Sequence, residues 1–191
     1  MMIPYIHQIE LAKEGYSILK EHMIVYLAME ERTGKTLTSL LITEFCQNIN
    51  RVLIITKANK PLKGWQETLA QYRFIHEWKI VCYTDSNFDE AAKFNADIVI
   101  LDEAHNFISK SPKPSVTHAK LKKIVYGKPI IYCSATPHAQ GYHMLYHQLS
   151  LSKWSPWHRY TNFYTWFKSY GVPSSIYIKG RIVATYTKTQ E

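Results

Sequence analysis

The stretch IVYLAMEERTGKTLTSL, Ile24–Leu40, decides how the rest of the chain is read. It opens as a continuous apolar run, the pattern of a strand buried on both faces. It closes as a helix, with Leu37, Leu40, Leu41 and, further on, Phe45 at helical spacing. Between the two lie Gly34, Lys35 and Thr36, the closing residues of the pattern G-x-x-x-x-G-K-[ST], whose backbone N–H groups and helix N-terminus cradle phosphates. The opening of the loop departs from that pattern. Met29 stands where the first glycine belongs, and Glu30 and Glu31 bring two negative charges to the place of triphosphate oxygens. A chance GKT at a helix start is the competing reading, and only the remaining sequence can decide between them.

On either side of this stretch, short apolar runs alternate with helical patterns. A helix is expected from Ile6 to about Glu21, with Ile9, Ala12, Tyr16 and Leu19 at helical spacing. After the loop follow RVLIIT as a strand, LKGWQETLAQYR as a helix, KIVCY as a strand and NFDEAAKF as a short helix. ADIVIL, SVTHAKLKKIVYG, KPIIYCS and GYHMLYHQL continue as strand, helix, strand and helix. Such alternation implies a parallel sheet with helices on both faces, and ligands of such sheets sit at the carboxyl ends of the strands. Three polar clusters fall at those ends: Gly34-Lys35-Thr36, then Asp102-Glu103-Ala104-His105, then Ser134-Ala135-Thr136-Pro137. Each alone is a weak signal, but their shared place at strand ends makes them one site.

Each cluster suits one part of nucleotide chemistry. Lys35 can reach β- and γ-phosphates and the Thr36 hydroxyl can ligate Mg²⁺. Asp102, emerging from an apolar strand, suits holding the same metal, and Glu103 can orient and deprotonate an attacking water. The structural alternative for this acidic pair is a helix cap with a solvated partner. His105, Ser134 and Thr136 read as a coupling element between the nucleotide and whatever binds nearby; as simple structure, the two hydroxyls cap or turn the chain.

Charge is divided unevenly. Residues 1–105 carry 11 Lys/Arg against 14 Asp/Glu, whereas residues 106–191 carry 12 Lys/Arg and one acid, Glu191. Eighty-five residues without a carboxylate imply a polyanionic partner, nucleic acid first and an acidic protein or membrane second, the plain alternative being a solvated basic surface. Lys57, Lys60 and Lys63 after one strand, with Lys110, Lys113, Lys120, Lys122 and Lys123 after the acidic cluster, are the candidate phosphate contacts. The eight aromatics of residues 154–170 are expected to pack as a helix face through Trp157, Tyr160, Tyr164, Phe167 and Tyr170. Three scattered cysteines, no export signal and no apolar run long enough to span a membrane point to a soluble protein of a reducing, cytoplasmic interior.

The order GKT, DEAH, SATP resembles the first RecA-like domain of superfamily 2 helicases. Within them it is most similar to the Swi/Snf-like duplex translocases, and especially to compact helicase-like proteins of bacteriophages. PYIHQ resembles the upstream adenine-reading element, which implies Gln8 on the base with Tyr5 or His7 beside it. LIITKANKPLKGW resembles motif Ia with its Trp65, and DEAHNFISKSPKPSVTHAKLKKI the basic loop and helix after the DEAH box. YHMLYHQL with YTNFYTWFKSYG resembles the exit from the first domain. The family tolerates A-x-E-x-x-x-G-K-T, matched here by Ala28 and Glu30, and Arg32-Thr33 resembles an R-T-G-K-T variant; Glu31 has no counterpart.

The resemblance implies an α/β RecA-like P-loop domain over 1–150 and an aromatic, basic extension over 151–191, leading towards a second RecA-like domain absent from this sequence. It implies binding of ATP through Tyr5, Gln8, Thr33, Gly34, Lys35 and Thr36, with Mg²⁺ on Thr36 and Asp102, in a DNA-dependent ATPase acting in the host-cell cytoplasm if phage-encoded. Arginine fingers from the second domain contribute about 10³–10⁵ in rate in such enzymes, so slight turnover is expected of one domain. The rival readings are a non-hydrolysing nucleic-acid-binding module of the same fold and a small-molecule P-loop kinase, for which the acid-free half has no use.

Overall fold

The computed structural model describes residues 3–84, 88–178 and 181–190. Five parallel strands form the sheet: β1 (Ile24–Ala28), β2 (Arg51–Thr56), β3 (Glu77–Cys82), β4 (Ile98–Asp102) and β5 (Ile130–Ser134), in the spatial order β1-β5-β4-β2-β3. The helices are α1 (Ile6–His22), α2 (Lys35–Phe45), α3 (Lys60–Gln71), α4 (Phe88–Phe94), α5 (His105–Ile108), α6 (Val116–Val125), α7 (His143–Leu149) and α8 (Phe163–Tyr170). An antiparallel pair, β6 (Ser174–Ile178) and β7 (Arg181–Thr185), follows. The expected order of strands and helices through residue 149 is the observed one, except that a short helix not expected from the sequence, α5, follows β4. Asn87, the first residue expected in α4, lies outside the described residues, as does Glu191.

The chain runs outward from β1 to β2 and β3, then returns to β4 and β5. Right-handed crossovers send outward and returning helices to opposite faces. Accordingly α1, α2 and α3 cover one face through Ala12, Leu19, Leu40, Ile42 and Trp65, packed on Val52, Ile54, Ile98 and Ile100. The returning helices α4, α5 and α6 cover the other through Ala91, Ile108, Leu121 and Val125, packed on Leu53, Ile55, Val99 and Leu101. Both side-chain sets of β2 and β4 are therefore buried, which is why their sequences are unbroken apolar runs.

Two helix faces differ from the periodic expectation. In α1 the buried stripe is Gln8, Ala12, Gly15 and Leu19, with Ile9 and Tyr16 on its flanks. Gly15 sits against α2, where a Cβ would lie 2.6 Å from Ile42 Cδ1, so the contact is made by a residue with no hydropathy signal. In α2, pressed between sheet and α1, Thr38, Ser39 and Thr43 are buried along with the leucines, while Leu41 and Phe45 are only half-buried. Ser39 Oγ and Thr43 Oγ1 donate to the carbonyls of Thr36 and Leu40 (2.8 and 2.7 Å), which lets hydroxyls enter a packed interface.

The aromatic tail is not one helix from Trp157. Asn162 caps α8, its Oδ1 accepting the Thr165 N–H at 3.0 Å, and turns precede it. Phe163, Trp166 and Phe167 form a small core with Tyr146 of α7; of the five rings expected on one face only Phe167 is buried, Trp157, Tyr160 and Tyr170 are half-buried against that core, and Tyr164 is 42% exposed.

Helices α6 and α7 meet through His118, whose Nε2 lies 3.0 Å from both the His147 carbonyl and Ser150 Oγ. Burial, then the neighbouring His147 and Lys122, push this imidazole from 6.5 down to about 4. The unfolded chain then binds more protons than the folded one between these values. Stability from this group is complete above the unfolded value and is lost as pH falls towards 4, by about 3 kcal/mol. Urea unfolding at pH 7 and pH 4 should therefore show a drop that is smaller by about that amount in His118→Gln.

Gln148, fully buried on α7, joins four elements. Its Oε1 accepts from Tyr26 of β1 (2.7 Å), its Nε2 donates to the Pro137 carbonyl (2.8 Å), and its own carbonyl accepts from Tyr132 of β5 (2.6 Å). Gln148→Ala leaves the Tyr26 hydroxyl and Pro137 carbonyl without these partners, and denaturant titration should show a loss of about 1–3 kcal/mol.

Candidate functional site

Strand register sets the site. Ala28 pairs with Ser134, and Asp102 with Cys133, so the ends of β1, β5 and β4 lie side by side on one rim. Adjacent strands are about 4.8 Å apart, so the 29–34 loop leaves β1 about 10 Å from the end of β4. The three polar clusters expected at strand ends thus meet.

The loop is held by its own side chains. Lys35 Nζ donates to the carbonyls of Met29 and Glu30 (2.9 and 2.7 Å), and Thr33 Oγ1 donates to the Glu30 carbonyl (2.7 Å). Arg32 at φ +62° and Gly34 at φ +92° take the left-handed turns that bring the chain into α2. Gly34 has a second reason to be glycine, because a Cβ there would collide with the Gln8 amide. Gln8, 6% exposed, is thereby placed against the loop; its Oε1 accepts the Tyr5 N–H at 3.0 Å, capping α1. Tyr5 itself is 72% exposed and stacks on His7, with ring centroids 5.6 Å apart. Glu30 and Glu31 are exposed, and Thr36 stands in the first turn of α2.

At the end of β4 the two carboxylates diverge. Asp102 Oδ2 accepts from Thr56 Oγ1 (2.7 Å) and from the Trp65 indole N–H (2.9 Å), on the face covered by α3. Glu103, at φ +50°, turns the other way, its N–H bonded to the Cys133 carbonyl at 2.8 Å. Its Oε2 accepts from Ser134 Oγ (3.0 Å), and the same hydroxyl lies 3.0 Å from His105 Nδ1 and accepts the Thr136 N–H at 3.1 Å. The expected coupling set is thus assembled around Ser134, with Thr136 joining through its backbone while its residue is exposed. Buried Cys133 lies between the clusters. Its thiol is pushed up by burial and then by Asp102, and drawn down by a hydrogen bond with Ser39 and by Lys35.

The sequence reading missed Trp65 and Thr56 as partners of Asp102. The only signal was the place of Trp65 in the motif Ia-like stretch, and the pairing needs β2 beside β4. Of the expected phosphate contacts, Lys57 leaves the carboxyl end of β2, while Lys60 and Lys63 occupy the first turn of α3 on the same rim. Lys110 and Lys113 lie between α5 and α6, and Lys120 is exposed on α6. Lys110 borders a cavity with His105, whereas Lys113 borders a different one.

The donor set suits a phosphate chain carrying its own metal. The first-turn N–H groups of α2 lack intrahelical acceptors, Lys35 and Thr36 belong to that turn, and Asp102 ends β4 on the same rim. Among the described residues no group of three or more His, Cys, Asp or Glu could hold a metal ion on its own. Among them also no helix is long and apolar enough to cross a membrane. No protein-family model matches the chain.

His105 is held below its ordinary value by burial, against which the Glu103 carboxylate acts. Glu103→Gln removes the opposing charge, so NMR titration of the His105 ring should give a pKa lower than in the wild type. An equal or higher value would contradict the assembled Glu103–Ser134–His105 set.

Proposed function

We propose that this chain is an ATP-binding RecA-like P-loop domain, the first motor domain of a nucleic-acid-dependent ATPase of the helicase or duplex-translocase type. The observation that carries this reading is the adjacency of the Gly34–Thr36 loop, the Asp102–Glu103 pair and Ser134 at the ends of neighbouring strands. Those parts, in that chain order, are what the superfamily 2 resemblance implies, with DNA preferred to RNA.

In this reading Lys35 exchanges the Met29 and Glu30 carbonyls for β- and γ-phosphate oxygens. Thr36 and Asp102 are the residues that would hold Mg²⁺, which would neutralise charge on the phosphates. Thr56 and Trp65 keep Asp102 aimed, each such bond to a carboxylate contributing about 1.5–3 kcal/mol. Glu103 orients the attacking water and takes its proton, and Ser134 with His105 fixes the Glu103 carboxylate. Gln8 borders the loop at Gly34 and is assigned to the base, with Tyr5 held to it through its backbone N–H.

Lys60 and Lys63 support nucleic-acid contact on the same rim. Cations in a helix's first turn oppose its dipole, which favours an external anion at Lys60, whereas Lys63 Nζ lies 3.7 Å from the Glu67 carboxylate of the same helix. Full turnover in this reading requires an arginine from a second RecA-like domain, in the same or another chain.

Phosphate release with and without DNA, and nucleotide binding by calorimetry, test the proposal. Lys35→Ala should lose ATP binding, and Glu103→Gln should bind ATP while DNA-stimulated hydrolysis falls by about 10²-fold or more. DNA binding with no nucleotide binding at all would instead mark a nucleic-acid module that has kept the fold.

A further inference from the structure

We propose that a cavity of about 390 Å³ between α6, α7 and the segment before α8 is a second nucleic-acid site, which holds a base and its phosphate from a single strand. It rests on the nucleic-acid part of the proposed function and on nothing of the ATP site. Neither the 29–34 loop nor Asp102 or Glu103 lines it.

Its walls bring together ring faces and ammonium groups. Trp157, Tyr160 and Tyr164 supply the rings, and Lys113, Lys122 and Lys153 the cations. These rings belong to the aromatic tail, which the structure divides by role. Phe163, Trp166 and Phe167 are 2–6% exposed and form core, while Tyr164 is 42% exposed beside the cavity. Trp157 and Tyr160 are half-buried against that core. The lysines already lie over aromatic neighbours, Lys153 Nζ 4.4 Å from the Trp154 centroid and Lys122 Nζ 5.7 Å from that of Tyr126.

No carboxylate answers these cations. The lining contains neither Asp nor Glu, and residues 106–190 contain none anywhere. The floor is already satisfied, His118 on the His147 carbonyl and Ser150, and His147 on the Pro112 carbonyl at 3.1 Å. Thr161, Asn162 and the tyrosine hydroxyls add neutral hydrogen-bonding groups, but the only formal charges in the lining besides titratable histidines are the lysines, which select an anion. The volume lies in the range of small-ligand sites, large enough for one nucleotide unit. An acidic peptide would use the lysines and leave the rings idle, and a lipid surface would meet a projecting apolar patch rather than a recess. A base stacked on the rings with its phosphate on the lysines uses both.

The test is fluorescence anisotropy of the 191-residue chain with labelled oligothymidylate of about ten nucleotides and with an abasic oligomer of equal length, without ATP. Oligothymidylate should bind about 5- to 100-fold more tightly than the abasic oligomer. Tyr164→Ala should abolish most of that difference, Tyr164→Phe should restore it, and alanine at Lys113, Lys122 and Lys153 should flatten the salt dependence by about 0.7 per lysine. Equal affinity for the two oligomers, an unaltered Tyr164→Ala, or competition by polyglutamate as strong as by oligothymidylate overturns the site. Base-dependent binding that survives in a chain without nucleotide binding removes the ATPase reading and leaves this site standing. DNA-stimulated hydrolysis with base-independent binding does the reverse.

Discussion

Burial of a parallel sheet on both faces is the constraint on which the rest depends. Because β1, β5 and β4 run the same way, their carboxyl ends share a rim, and every helix that follows must start there. The apolar residues of β2 and β4 are fully buried, so the strands cannot slip without driving an interior residue into solvent or a polar end into the core. The rim chemistry is thus held in place by hydrophobic packing far larger than any single polar contact within it.

At the end of β4 this constraint produces two carboxylates with different environments. Asp102 is still part of the strand and points to the α3 face, where Thr56 and Trp65 satisfy one of its oxygens. Glu103 leaves the strand through a left-handed backbone, a conformation that costs a residue with a Cβ about 1 kcal/mol or more. The N–H bond to Cys133 and the contact with Ser134 offset that cost. Adjacent acids of one sequence motif are thereby separated into a group fixed through one oxygen and a group tied to β5. Division of labour in the proposed hydrolysis follows from that separation.

The basic half has a comparable division. Outside that half Lys57, Lys60 and Lys63 sit on the rim, while within it Lys113, Lys122 and Lys153 line a recess with the tail's rings. A chain with no carboxylates from residue 106 to 190 has few ways to neutralise such a recess internally. Its α6–α7 floor is instead held by histidines kept neutral through burial, which joins the stability of this region to pH.

The alternation of strands and helices, the parallel sheet and the three polar clusters were legible in the sequence because each rests on local periodicity or on residues at strand ends. The pairing of Trp65 with Asp102 was not legible, since 37 residues separate them and only the insertion of β2 beside β4 brings them together. Nor was the α1–α2 contact at Gly15, or Gln148 joining β1, β5 and the Pro137 turn, for neither residue carries a hydropathy signal. In the tail, spacing alone marked Tyr164 as core, yet the cap at Asn162 rotates the helix so that Phe163 and Trp166 are buried and Tyr164 faces out. The sequence by itself determined which segments are strands and where reactive groups can emerge, because those depend on short-range patterning. Which groups touch, which rings are core and which carboxylate is anchored by Thr56 and Trp65 were decided only by tertiary packing, because they depend on neighbours distant in the chain.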